Sequence, residues 1–179
     1  MSAAAVTRFP RRPFASSAPA PAPQPAVIAL APNEGQRVWF LDQLVIVKQR
    51  GAGLPYGVLE TELAKDRGTP FHRHLDEAES FYVLEGELSF FVEGGKVLHG
   101  SPGSYVHVPP GVAHGFRAHT PTRLLVISNP QGFVDFTRDY GEPAPSLQLP
   151  PLAAPDFPRL QALADKYRIE LLGPLPEIG

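Results

Sequence analysis

The chain has no cysteine, one tryptophan and one methionine in 179 residues. The absence of cysteine excludes a thiol nucleophile, a disulfide framework and a zinc–thiolate site. No long basic run is present and the net charge is −2, so the electrostatic footprint of a nucleic-acid-binding surface is missing. No apolar stretch approaches the roughly 20 residues that a membrane-spanning helix requires. Acids are absent from the start of the chain, where the first is Glu34.

The length suits one domain with extensions. Residues 1–32 hold seven prolines and several alanines. Such a segment cannot bury enough apolar surface to offset its ordering entropy. The expected organisation is a disordered Pro/Ala-rich arm over 1–32, a β domain over 33–130 and a helical extension over 131–179. Arg11-Arg12-Pro13-Phe14 resembles a twin-arginine export signal, but the stretch after it is too rich in proline for the apolar segment of one. Arginine and serine without acids also match the composition of an organelle transit peptide. A cytoplasmic location is the expectation, with export or organelle targeting by residues 1–32 as the alternative.

The chemistry concentrates in two stretches. Thr69 to Gly86 reads TPFHRHLDEAESFYVLEG. On a strand, residues i and i+2 share a face, so His72 and His74 can aim two imidazoles at one point, with Glu79 joining them after a short bend. Gly103 to Ala118 reads GSYVHVPPGVAHGFRA. There a strand over Tyr105–Val108 runs into the turn signal Pro109-Pro110-Gly111, and His114 opens the returning strand. His72, His74, Glu79 and His114 thus form a set of three imidazoles and one carboxylate with metal-ligand character. Glu77 is the competitor for Glu79, and its spacing to Gly86 is wrong for the pattern described next. His99, His107 and His119 have no such pattern around them and are expected to be surface or structural residues.

These two stretches resemble the paired motifs of the cupin superfamily: His72-x-His74, Glu79 and Gly86 in the first, Gly103, Pro109-x-Gly111 and His114 in the second. Two positions depart from that pattern. Asp66 stands where a glycine usually precedes the His-x-His pair, with Gly68 able to serve the same turn, and Ala118 stands where an asparagine often follows the last histidine. The resemblance implies a mainly β fold: a single cupin barrel (a double-stranded β-helix, or jelly roll) with short C-terminal helices. It also implies one divalent metal held by His72, His74, Glu79 and His114, and a homodimer. FYVLEGELSF together with the tail Tyr167 to Pro176 resembles the quercetin 2,3-dioxygenase-like monocupins. That likeness implies a quercetinase-type dioxygenase that opens a flavonol with dioxygen, Glu79 being both ligand and general base.

Alternation extends the reading to the surroundings of the site. If Glu79 points inward, so do Phe81 and Val83; if His114 does, so do Phe116 and Ala118. These four are the candidate walls of a substrate pocket. Strands are further expected within Arg37–Gln49, broken near Asp42-Gln43, at Tyr56–Ala64, after Gly86 and at Thr122–Ser128, with Gly94-Gly95 as a hairpin turn. Phe133, Phe136 and Tyr140 recur at helical spacing, and so do Leu160, Leu163, Ala164 and Tyr167 behind an Asp156 N-cap. Ligand chemistry alone permits Fe, Mn, Ni, Co or Zn. It leaves open an isomerase, cyclase or lyase that works without dioxygen, and a non-enzymatic metal- or small-molecule-binding protein.

Overall fold

The computed structural model describes residues 27–51 and 54–177. Most of the Pro/Ala-rich arm expected over 1–32 lies outside the described residues. Two antiparallel sheets face each other. Strands β1 (Gln36–Phe40), β2 (Gln43–Gln49), β3 (Gly57–Leu63), β5 (Ala78–Glu85), β8 (Tyr105–Val108), β10 (Thr122–Asn129) and β11 (Glu142–Pro143) make the first, in the order β11-β1-β2-β3-β10-β5-β8. Strands β4 (Phe71–His74), β6 (Leu88–Val92), β7 (Lys96–Gly100), β9 (His114–Ala118) and β12 (Ile169–Gly173) make the second, in the order β12-β4-β9-β6-β7. The fold is mainly β, a jelly-roll sandwich in which the two sheets are stacked rather than joined into a closed ring.

Alternating side chains explain the layering. In β3, Leu59, Thr61 and Leu63 are buried while Glu62 is exposed. In β10, Leu124 and Val126 are buried in the same rhythm. β10 lies between β3 and β5, so Thr122–Ser128 forms the middle of a sheet. β6 departs from simple alternation: Leu88 and Phe90 face the core, yet Ser89 and Phe91 are buried as well. The Arg117 guanidinium lies 5.9 Å from the centre of the Phe91 ring, and His99 and His119 close over Ser89.

The turn that opens the His-x-His strand shows how the departure at Asp66 is accommodated. Asp66 itself takes the left-handed conformation, φ 64°, which Asp tolerates better than most residues. Gly68 lies so close to β9 that an added Cβ would sit 1.8 Å from the Phe116 carbonyl oxygen. The glycine at that position therefore serves close approach of two backbones, and the turn is made two residues earlier.

The C-terminal part contains both expected helices, α1 (Gly132–Tyr140) and α2 (Phe157–Lys166). A helix of nine residues is marginal by itself; α1 is held because Val134, Phe136 and Tyr140 are buried, each contributing on the order of 1.5–3 kcal/mol. Phe136 and Tyr140 meet Phe40 of β1 edge to face, at 5.5 and 5.8 Å. The Asp156 side chain accepts from the Arg159 N–H and caps α2 as its sequence predicts. This region is not helical throughout: β11 pairs with β1, and β12 returns to pair with β4. Its two strands extend the barrel sheets, so Ile169 ends up buried beside the His-x-His strand. No helix among the described residues is long and apolar enough to cross a membrane.

Candidate metal centre

The four residues come from both sheets. β4 carries His72 and His74 on its inner face, and Phe71 and Arg73 on the other. His72 pairs directly with His114 across the β4–β9 ladder. Glu79 arrives from the opposite sheet, on β5, between Val108 of β8 and Ser128 of β10. All four side chains are buried, and one ligand atom from each lies within 4.8 Å of the others.

Each imidazole is oriented from behind. The His72 Nδ1–H donates to the Pro70 carbonyl at 2.9 Å, and the His114 Nδ1–H donates to the Val112 carbonyl at 3.1 Å. A carbonyl only accepts, so the proton is on Nδ1 and the Nε2 lone pair is free for the centre. His74 has a different arrangement: its Nδ1 faces the Glu77 carboxylate at 3.4 Å. At the centre, Glu79 Oε2 is 3.0 Å from His114 Nε2 and 3.2 Å from His74 Nε2. His74 Nε2 and Glu79 Oε1 are buried without a hydrogen-bond partner. Two orphaned buried polar atoms among converging donors are what a cation would satisfy, so the residues present fit a divalent metal.

The protonation pattern fits as well. Burial, reinforced by His114 and His74, pushes His72 down to about 3, keeping it neutral. Burial would lower His74 too, but the Glu79 and Glu77 carboxylates outweigh it and hold the ring up to about 10. Burial would raise Glu79; the charge of His74 and the close approach of the His114 and His74 rings outweigh it and keep its carboxyl well below the usual carboxylate range. The group thus has one carboxylate, with a proton on His74 in the place where a metal ion would supply positive charge.

Beside the group is a narrow cavity. Phe81 and Phe116 line it, together with Phe40, Gln43, Thr61 and Phe133, and His72 and Glu79 form its polar end. Its free volume is about 20 Å³, room for roughly one or two water molecules. Val83 and Ala118 are buried but do not line it. The reason is distance along the strand: at about 3.3 Å per residue, a position four residues from a ligand is about 13 Å away. Sequence reasoning missed Gln43, Thr61, Phe40 and Phe133, which arrive from β1, β2, β3 and α1. It also set Glu77 aside. Its position three residues after His74, at the bend before β5, is the only local signal of its contact with that ring. His99, His107 and His119 are exposed and hydrogen-bond to serines.

Comparison with known proteins agrees with this geometry. Residues 59–128 match the cupin domain family. Residues 59–128 form a cupin domain. A quercetin 2,3-dioxygenase from Bacillus subtilis is 29% identical to this cupin over 117 residues, covering 64% of the chain. The chain spans 34% of the length of that relative. Among solved structures, a sugar phosphate isomerase of the cupin superfamily from Silicibacter pomeroyi superposes with TM-score 0.50 at 21% identity, over 56% of this chain and 74% of that one. An RmlC-like cupin from Shewanella frigidimarina gives 0.48 at 21%, over 53% and 84%.

Proposed function

We propose that this cupin is a metal-dependent dioxygenase of the quercetinase type, opening a flavonol or a similar enolisable aromatic. The observation that carries the reading is the buried three-histidine, one-glutamate group at the polar end of an aromatic cavity. His72, His74, Glu79 and His114 would hold the metal. A divalent ion there (Fe, Mn, Ni, Co or Zn) supplies an electrophilic centre that stabilises an enolate and, where redox-active, allows reaction with dioxygen.

The chain's own residues supply the rest. Glu79 accepts the proton of the substrate hydroxyl, since its Oε1 has no partner and a general base must lie within hydrogen-bond reach of the proton it takes. Phe81 and Phe116 flank a flat ring and exclude water. The Gln43 side chain is fixed by the Thr61 hydroxyl, which donates to its Oε1 at 2.7 Å. Its Nε2 is buried and unpartnered, a donor for an oxygen of the substrate.

A three-ring flavonol exceeds the free volume of the cavity, so its entry requires displacement of the wall. Phe133, like Phe40, Thr69 and His72, also borders a second small hollow, lined further by Phe136, Leu160 and Leu171. Moving its ring joins the two spaces. The small volume favours one second reading, in which the same centre isomerises, cyclises or cleaves a smaller enolisable molecule without dioxygen. Metal-loaded protein mixed with quercetin in an oxygen-electrode cell distinguishes the two. The dioxygenase reading expects about one dioxygen consumed per flavonol bleached, and no bleaching under argon. Turnover that persists under argon belongs to the second reading. Absence of turnover in both atmospheres, across a panel of phenols and keto acids, would leave a binding protein.

A further inference from the structure

Glu77 is the buried carboxylate that the proposed mechanism does not use. It is 5% exposed and sits between the His74 ring and the N-terminus of α1. Its Oε2 faces His74 Nδ1 at 3.4 Å. Its Oε1 accepts the backbone N–H of Phe133, in the first turn of α1, at 3.0 Å. The N-terminus of α1 has no cap of its own, because the Gln131 side chain makes no capping bond and accepts from the Gly51 N–H instead. Gly132 leaves room for the arrangement: an added Cβ there would stand 3.0 Å from Glu77 Oε2.

We infer that Glu77 is a positioning residue that joins the metal centre to the wall of the cavity. On one side it replaces the backbone carbonyl that orients His72 and His114, holding the His74 proton on Nδ1 and turning Nε2 to the metal. On the other it caps α1 with a carboxylate, the group a helix N-terminus prefers, and thereby sets the position of Phe133. Phe133 in turn meets the His74 ring edge to face at 5.5 Å, so the ring, the carboxylate and the helix end form a closed triangle. A carboxylate is required because both neighbours are donors. His74 and Phe133 face different oxygens of Glu77, so a glutamine in the same position, with one oxygen and one NH₂, presents an acceptor to only one of them. Toward His74 its amide NH₂ would favour the tautomer that keeps Nε2 protonated and unable to bind metal. The inference rests on the reading of the four residues as a metal site, and its helix half stands without it.

The test measures zinc affinity by chelator competition and amide exchange at Phe133 by NMR, in the full chain and in Glu77→Gln. Expected in the variant are a loss of zinc affinity of about 10- to 100-fold and faster exchange of the Phe133 amide in the zinc-free protein. Zinc should also slow Phe133 exchange in the wild type and do so far less in the variant, an effect that a residue serving only as a helix cap would not produce. Unchanged affinity in Glu77→Gln, with wild type binding zinc tightly, overturns the inference, as does unchanged Phe133 exchange. Failure of the wild type itself to bind zinc contradicts the metal reading, while the zinc-free exchange comparison still decides the cap. Should Glu77→Gln fail to fold, Glu77→Asp carries the same test: both acceptor oxygens are kept but withdrawn by one methylene, for a smaller loss of the same sign.

Discussion

The six histidines divide into two groups of three that share a side chain and almost nothing else. His72, His74 and His114 are buried, each has Nδ1 directed at an oxygen behind it, and their Nε2 atoms converge on Glu79 or its neighbours. His99, His107 and His119 are exposed, and each hydrogen-bonds to a serine hydroxyl, Ser89 for the first and last and Ser80 for His107. The contrast shows that an imidazole becomes a candidate ligand through the acceptor on its far side and the desolvation around it.

The contrast breaks most sharply at Glu79, the one carboxylate that faces the converging rings. Glu79→Gln keeps size and an oxygen donor but loses charge and proton acceptor. Turnover of a substrate with an acidic hydroxyl should fall by roughly a hundred- to ten-thousand-fold, and the defect should shrink as pH rises because the substrate then ionises without help. Rates measured at two pH values under saturating metal check this. Full recovery by metal at both values would make Glu79 a ligand alone.

The pH dependence of the metal-free protein sharpens the comparison next. His74 is held up to about 10 by the carboxylates that outweigh its burial, against an ordinary value near 6.5. The stability it contributes is complete below about pH 6.5 and is lost as pH rises toward 10. His72, pushed down to about 3 by burial and its two histidine neighbours, acts in the opposite sense: folding loses stability as pH falls from about 6.5, because the unfolded chain takes up the proton first. Glu79 adds to the loss at the acid end. Thermal melts of chelator-treated protein should therefore peak near pH 6 to 7 and decline on both sides. Zinc should remove the alkaline decline, since the metal displaces the His74 proton. A flat profile between pH 6.5 and 10 without metal would contradict the assignment.

The smallest effect is expected from the other three rings. Replacing His99, His107 and His119 together by glutamine should change zinc affinity by no more than about twofold, in line with surface substitutions generally. Chelator competition measures it, and a larger loss would place one of these residues in the site.

Much of this division was legible in the chain because it is local. The spacing of His72, His74 and Glu79 states which face each occupies, and a strand keeps that promise wherever it packs; the burial of Phe81, Val83, Phe116 and Ala118 followed from the same alternation. What alternation does not state is which strand lies opposite, or how far along the barrel a residue stands. Val83 and Ala118 were expected in the pocket and pack beyond it, while Gln43 and Thr61 line it from strands earlier in the chain. Glu77 was hidden for a related reason. It lies at a bend, where no periodicity applies, and its second partner, Phe133, is 56 residues away. Nor did periodicity indicate that Ile169–Gly173 would return as a strand beside the histidines.

The most direct measurement is the metal content of the purified protein and of His74→Ala after dialysis against a graded series of chelator concentrations. The account predicts about one divalent metal per chain in the wild type, and a variant that is stripped at concentrations the wild type withstands, because three remaining ligands with an opened edge bind less well. A His74→Ala protein as fully loaded as the wild type, or a wild type that retains and rebinds no metal, would contradict it.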